Sequence, residues 1–447
     1  MRHLARTGRV LTGFLAVVLA AGPGVAGARA ARAAAGVPPA ASGPVADVSG
    51  ACPGGSAEVE SAAYAPAHAV YDVWMGCGGI GFAASSDGGA SFGPPAELPG
   101  SGHAWDPAIA VGPGGAVYAA FMVARSRRIY PVVDILRGGR WQVSRLGSPR
   151  AGNWGDRDFI AVNRFGTIFV TWDYGPKDDI RFVCSASGSC SFSAGDVNVV
   201  IQRSKDGGRT WSPIIPISPG FPASGADSAP IVVAPGGRLD VLYQGYQVLN
   251  RATLALGVAH NYFTTSTDNG LKWSRPQRVG GARLWMSTAE WWIDGSLGID
   301  SAGHLYATWD SQSGGRDIGW LAYSTTGGRI WSRPVRVTPD NDQAVHLTQV
   351  AGGGPGIAYV GWLTDAPARG YVQYLRVFSA RRGWLTSVIR VSPSYGNRHV
   401  WPGDTIGLAV SPPPGPGAPG LAVSWGSALG GRHALSQIYA RALTGLP

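Results

Sequence analysis

Three lysines (Lys177, Lys205, Lys272) and four glutamates (Glu58, Glu60, Glu97, Glu290) are all that a chain of 447 residues contains. Nearly all its positive charge is therefore arginine, and the arginines are spread out with no dense basic run, so nucleic-acid binding finds no support. No CxxC pair or histidine cluster accompanies the four cysteines, which argues against a zinc site. No Asp-x-Asp-x-Asp loop is present either, which removes the usual calcium loop. No metal or other cofactor is expected. Beyond the first 30 residues no apolar run approaches membrane-spanning length. The formal charge of +10 includes Arg2, Arg6, Arg9, Arg29 and Arg32. Without those five, about +5 is left, modest for the size.

Those five arginines sit in or beside a targeting segment. Arg2, Arg6 and Arg9 precede an apolar stretch from Val10 to Ala21 and small residues ending at Ala30, the pattern of a signal peptide over residues 1–30. Residues 31–43 read as an Ala/Pro-rich tether, and 44–447 as one folded domain. The expectation is a secreted protein with no membrane contact after cleavage. In an oxidising compartment the cysteines are expected to bridge, as Cys52–Cys77 and Cys184–Cys190.

What the chain does have is a short phrase repeated four times. It reads Ser85-Ser-Asp87-Gly-Gly89-Ala-Ser-Phe92, Ser204-Lys-Asp206-Gly-Gly208-Arg-Thr-Trp211, Ser266-Thr-Asp268-Asn-Gly270-Leu-Lys-Trp273 and Ser324-Thr-Thr326-Gly-Gly328-Arg-Ile-Trp331. Short Ser and Asp side chains bond nearby amides and close a tight turn, and glycine supplies its positive φ. The last three copies start 62 and 58 residues apart, but the first two are 119 apart, about two periods. Arg137–Trp141 fits as the worn copy between them, and Ser379–Trp384 as another after the last. A second phrase alternates with the first: an apolar run, a Gly/Pro turn and an aromatic, β-branched run. It recurs from Asp106, Asp158, Asp227, Asp294, His346 and Asp404, with a vaguer copy over Glu58–Trp74. An inner hairpin followed by an outer one, at a fixed period, predicts an all-β, seven-bladed β-propeller of four-stranded antiparallel blades. Six blades is the alternative count. The last unit lacks a strand, which Pro44–Ser49 would supply, closing the ring.

Strand order puts the repeated turns on one face and the connections entering the inner strands on the other. The second face collects acids and aromatics: Trp105-Asp106, Trp154-Gly-Asp156-Arg157-Asp158, Glu290-Trp-Trp292-Ile-Asp294, His346 and Trp401 with Asp404. Aromatic platforms beside carboxylates suit sugars, whose faces stack on rings while hydroxyls bond acids. An acid opening every inner strand can equally bond backbone amides around a channel. The tryptophans ending the second strands, Trp172, Trp309, Trp362 and Trp425, read as blade packing. Glu290, the one glutamate beyond the first blade, is the singular candidate for catalysis. In the Asn153–Asp158 cluster two acids flank Arg157, which is either an anion receptor or part of a structural ion network.

The four turns resemble the Asp-box, or BNR repeat, over roughly residues 53–442, and the chain resembles secreted members of the sialidase superfamily. The resemblance implies a propeller acting on extracellular glycans without a cofactor, as an exo-sialidase-like glycoside hydrolase and a monomer. It implies a tyrosine nucleophile helped by a glutamate, an acidic proton donor and an arginine trio, outside the two-carboxylate scheme of most glycosidases. By order along the chain, Glu290 takes the glutamate role and Tyr395 or Tyr371 the nucleophile, while Arg157, Arg316 and Arg398, near predicted rim loops, are the candidate trio. Asp156 and Asp158 are the acid candidates. Trp105, Trp154, Trp292, Trp401, Asp106, Asp294 and His346 are the substrate-binding set. The Phe/Tyr-Arg-Ile-Pro motif expected before the first Asp-box is missing; Arg128-Ile-Tyr-Pro131 is a displaced echo. Two other functions stay open, a propeller that binds glycan or protein without turnover, and a polysaccharide lyase with His103, His346 or His399 as base.

Overall fold

In the computed structural model, the described residues are 43–447 except 51, 53–57, 148, 177–179, 185–189, 195–196, 219–223, 251–254, 257–258, 281–294, 314–315, 339–343, 367–368, 412–419 and 430–435. For 65, 176, 180–184, 190–194, 224, 248–250, 255–256, 312–313, 316–317, 344 and 365–366 the backbone alone is described. Seven antiparallel sheets form the blades. From the channel outward, blade 1 is Val59–Tyr64, Ala69–Gly76, Gly79–Ser85 and Ala96–Glu97, and blade 2 is Trp105–Val111, Val117–Arg125, Arg128–Arg137 and Arg140–Arg145. Blade 3 is Asn153–Val162, Ile168–Pro176, Asn198–Ser204 and Ile215–Pro216, with an added hairpin, Ile180–Cys184 and Cys190–Ala194. Blades 4, 5 and 6 begin at Ser224, Ser296 and Ala344. Blade 7 takes Gly407–Ser411, Gly420–Ser427 and Gln437–Leu443 from the C-terminal part of the chain.

Its fourth strand is Val45–Asp47, paired with Tyr439–Arg441. The seven-blade count and the predicted closing strand both hold, and six blades is excluded. Each inner strand touches the next around the ring, ending with Gly407–Ser411 against Val59–Tyr64. The closing strand is anchored by Val48, which is 1% exposed, and by a bond from the Ile438 amide to Ser49 Oγ of 3.0 Å.

Interfaces between blades are filled by large side chains. Trp172, Trp309 and Trp362 are completely buried, and Trp425 nearly so, as their place at the ends of second strands predicted; Trp74 is completely buried as well. Truncating any of them to alanine would cost about 3–5 kcal/mol. The Asp-box turns lock locally. In blade 3 the Gly208 amide bonds Ser204 Oγ at 2.8 Å, and Asp206 accepts from the Thr210 amide at 2.9 Å. In blade 5 Thr326 stands for the aspartate and its Oγ1 accepts from the Ile330 amide at 2.9 Å. The last glycine of the turn also meets the preceding blade: at Gly328, with φ of +84°, an added Cβ would overlap the Phe263 ring. Arginines stitch neighbours together on this face, as where Arg203 donates to the Asn269 carbonyl in the next blade's turn. The worn turns Arg137–Arg140 and Ser379–Gly383 occupy the same place in blades 2 and 6.

The Cys52–Cys77 disulfide is formed, with an S–S distance of 2.02 Å. Cys184 and Cys190 are paired opposite each other in backbone register, and their side chains lie outside the described set.

Candidate functional site

At the face opposite the Asp-boxes, the inner strands do not run straight into the channel. Register breaks between Trp105 and Ala108 in blade 2, between Asp156 and Phe159 in blade 3 and between His346 and Gln349 in blade 6. Inside each break one non-glycine residue is left-handed: Asp106 (φ 49°), Arg157 (φ 48°) and Leu347 (φ 53°). Ser228 (φ 51°) does the same between the two pieces of blade 4's inner strand. Such a residue costs of order 1 kcal/mol or more, and a β-bulge re-aims the side chains around it. Here the bulges put Asp106, Asp156, Arg157 and Asp158 at the channel mouth.

These residues meet acids from both sides of the closure. Glu58, before the inner strand of blade 1, and Asp156 of blade 3 both hydrogen-bond the Asp106 carboxyl. Burial would raise Asp106, but the Arg157 guanidinium, those two bonds and the Arg157 amide, 3.2 Å from Oδ2, outweigh it and hold the carboxyl below its ordinary range. Glu58 is pushed well above the usual range, first by burial and then by the charges of Asp106 and Asp404. Asp156 is raised for the same two reasons, burial and Asp106. Two carboxyls pushed well above the usual range thus flank one held below it, because like charges this close do not readily ionise together. Trp105 Nε1 donates to Asp156 at 2.7 Å and fixes its orientation.

Asp158 lies deeper, 3% exposed, and apart from its own backbone amide neither carboxyl oxygen has a hydrogen-bond donor among the described residues. Burial, and then the Asp106 charge, raise it well above the ordinary range. It lines a cavity of about 20 Å³, room for one water, with Glu58, Glu60, Asp106, Arg157 and Thr405. Glu60 is pushed up to about 8 by burial and Asp72.

A second group lies across Arg157. Its guanidinium is 3.7 Å from Asp404, whose Oδ1 accepts the Trp401 indole N–H. His346 and Tyr371 both stand edge-on to the Trp401 ring, at 6.2 and 5.4 Å between centroids. The mouth therefore runs continuously from Trp105 through the carboxyls and Arg157 to Trp401, His346 and Tyr371.

Several predicted site residues stand elsewhere. Tyr395 sits under the guanidinium groups of Arg369 and Arg390, beside Tyr374 on the flank of blade 6, so its contacts are not with the carboxyls. Trp154 packs on the core around Leu242 and Tyr246. Arg398 is exposed and its Nε lies 3.1 Å from His399 Nε2. Arg316 opens the third strand of blade 5, with its backbone alone described. Glu290, Trp292 and Asp294 lie outside the described residues. Asp173 accepts the Ser228 amide at 3.1 Å, the amide-bonding role that a ring of acids suggested.

Glu58 was missed by the sequence reasoning, which set the first-blade glutamates aside. Its place opening an inner strand, as Asp106 and Asp404 do near theirs, was the signal available.

No protein-family model matches the chain, and no curated protein matches it in sequence. Its fold is shared with solved structures. A PL25 polysaccharide lyase, an ulvan lyase bound to -[GlcA(1-4)Rha3S]-, superposes with a TM-score of 0.57 at 12% identity, covering 88% of this chain and 95% of that one. A protein of unknown function from Dyadobacter fermentans superposes at 0.50 with 14% identity, over 76% and 94%. An α-L-arabinanase of Penicillium chrysogenum is more distant, at 0.45 with 12% identity, over 88% and 95%. At these identities the likeness is one of fold.

Proposed function

We propose that the protein is a secreted carbohydrate-active enzyme that hydrolyses glycosidic bonds at this mouth. The observation that carries the reading is the Asp106–Asp156 pair, two carboxyls in hydrogen-bond contact, half-buried and flanked by Trp105, with Asp106 held below the usual range and Asp156 pushed well above it. Groups whose environments drive their pKa values apart are the usual acid and base of such sites. Asp156 gives its proton to the departing glycosidic oxygen, water adds at the anomeric carbon as that C–O bond breaks, and Asp404 accepts the water's proton. Asp106 holds Asp156 protonated, and Trp105 and Trp401 provide stacking faces. Arg157 is already engaged by Asp404 and Asp106. A neutral glycan therefore suits the mouth better than a sialoside, whose carboxylate needs a cation of its own.

The test is a panel of neutral glycosides, sialosides and uronate polymers, read for new reducing ends and for unsaturated products. Asp156→Asn is expected to lower kcat by about 10²–10⁴ with binding retained. Full activity in that variant sinks the assignment. A second reading, β-elimination, draws on His346 and Tyr371 meeting at Trp401 and on the likeness to an ulvan lyase. It predicts unsaturated products from uronate polymers and their loss in His346→Ala. Silence on the whole panel would favour a binding propeller.

A further inference from the structure

The Asp-box face has a character of its own, independent of the chemistry proposed for the mouth. Four large apolar side chains among the described residues are strongly exposed, and three of them lie on this face in consecutive blades: Phe165 (75%), Leu271 (52%) and Ile330 (71%). Phe165 tips the first turn of blade 3; Leu271 and Ile330 tip the Asp-boxes of blades 4 and 5. Each is next in sequence to a cation, Arg164, Lys272 and Arg329 respectively, and the Arg164 guanidinium sits 4.7 Å from the Phe165 ring centre.

Further exposed cations surround them: Lys205, Arg209, Arg275 and Arg333. Two of the three lysines of the whole chain are in this set. The acids of the same turns are engaged internally, Asp206 with Thr210 and Ser204, and Asp268 with Ser266 and the Lys272 amide. The third turn has Thr326 in place of its acid. Those hydrogen bonds hold Asp206 and Asp268 ionised, but the seven exposed cations outnumber them, so the face is net cationic with apolar tips, while the carboxyls of the mouth collect on the opposite side of the ring. Scattered apolar residues are ordinary on a protein surface. Three in succession, each beside a cation, match what an interface of anionic headgroups above acyl chains would take up.

We propose that the Asp-box face of blades 3 to 5 is a peripheral docking surface for an anionic phospholipid bilayer. Docked this way, the chain crosses nothing: Phe165, Leu271 and Ile330 enter the headgroup boundary, the cations lie over phosphates, and the channel mouth faces away into solvent. A lipid surface fits better than a soluble polyanion, which would use the cations and leave the apolar tips in water.

The experiment is co-sedimentation of the secreted chain with vesicles of phosphatidylcholine alone, and of phosphatidylcholine and phosphatidylglycerol in equal amounts. Binding is expected only to the anionic vesicles and should weaken steeply with salt, and each cation removed by substitution should cost about fivefold. The triple variant Phe165→Ser, Leu271→Ser, Ile330→Ser is expected to lose about tenfold or more. Should that variant fold poorly, Lys205→Glu with Lys272→Glu tests the same surface through charge. Absence of vesicle binding by the parent, or unchanged binding in these variants, overturns the proposal. So does binding to inorganic polyphosphate without vesicle binding, an outcome that assigns the face to a soluble polyanion.

Discussion

Asp158→Asn replaces a carboxyl that folding buries with no donor among the described residues but its own amide, by an amide of nearly the same shape. In the unfolded chain the acid ionises near 3.9, whereas in the native state burial and the Asp106 charge keep it neutral to much higher pH. Between those two values the native state holds one proton more than the unfolded state, so stability falls as pH rises, by about 1.4 kcal/mol per pH unit. Each pH unit above the unfolded value over which the native carboxyl keeps its proton therefore costs about 1.4 kcal/mol. Asparagine has no such slope. A propeller domain of about 400 residues unfolds with an entropy of roughly 0.8 kcal/mol per kelvin, so the variant's melting temperature should gain about 2 °C on the parent's for each such pH unit. The gap should close toward pH 4. Calorimetry on both proteins from pH 4 to 8 reads this directly. Glu58 and Asp156 contribute slopes of the same sign to both proteins, so the difference isolates Asp158. A gap that stays constant with pH, or one that reverses, would refute the account: the first means no shift at Asp158, the second an ionised native carboxylate stabilised by Arg157.

Two further outcomes follow from the turns and the closure. Gly88 and Gly328 hold neighbouring positions in equivalent turns, both left-handed, but an added Cβ at Gly88 meets nothing within 4 Å whereas at Gly328 it overlaps Phe263. Gly88→Ala should cost about 1–2 kcal/mol, from backbone strain alone, and Gly328→Ala about 2–5 kcal/mol, measured by denaturant unfolding; equal losses would mean that inter-blade contact adds nothing. Removing residues 1–49 strips Val48 and the last strand from blade 7 and should lower the melting temperature by several degrees, since it leaves Gln437–Leu443 as an unpaired edge; an unchanged melting curve would show that the ring closes without it.

The fold was legible because its determinants are local. Ser204, Asp206 and Gly208 close a turn with atoms no more than four residues apart, and a turn that recurs at a fixed period counts blades. Even Thr326, which breaks the written pattern, keeps the same amide bond. The missing seventh outer strand pointed to Val45–Asp47 by subtraction. The mouth was legible only in outline. Its acids and tryptophans were assigned to the right face, but the pairings depend on left-handed residues at Asp106 and Arg157; aspartate tolerates positive φ but does not require it, and nothing about arginine announces it. Lining up the acids that open each strand made Asp106 and Asp158 equivalent. The bulges show otherwise, since Asp106 is itself the left-handed residue and Asp158 follows it. The Glu58 to Asp106 contact joins two inner strands, a kind of contact that spacing within one repeat does not encode.

The same bulges explain how a ring can carry several carboxyls around one narrow channel. Straight inner strands would point alternate side chains into the channel at regular depth, bringing acids of neighbouring blades to the same level with water as their main partner. A left-handed residue at the entry shifts the pattern in blades 2, 3, 4 and 6. In blade 3 it lets Arg157 face both Asp106 and Asp404 while Asp156 turns to Trp105. One cation then faces two carboxylates, and burial together with the Asp106 charge pushes the remaining acids, Glu58, Asp156 and Asp158, well above the usual range. Such an arrangement is costly to fold at high pH and supplies a proton where the channel opens, so the instability that Asp158→Asn relieves and the acidity assigned to Asp156 have a common origin. Arg157→Gly would separate them: glycine keeps the left-handed bulge without its strain, yet removing the guanidinium uncouples Asp404 from Asp106 and should let the Asp106 pKa climb, as a pH titration of the variant would read.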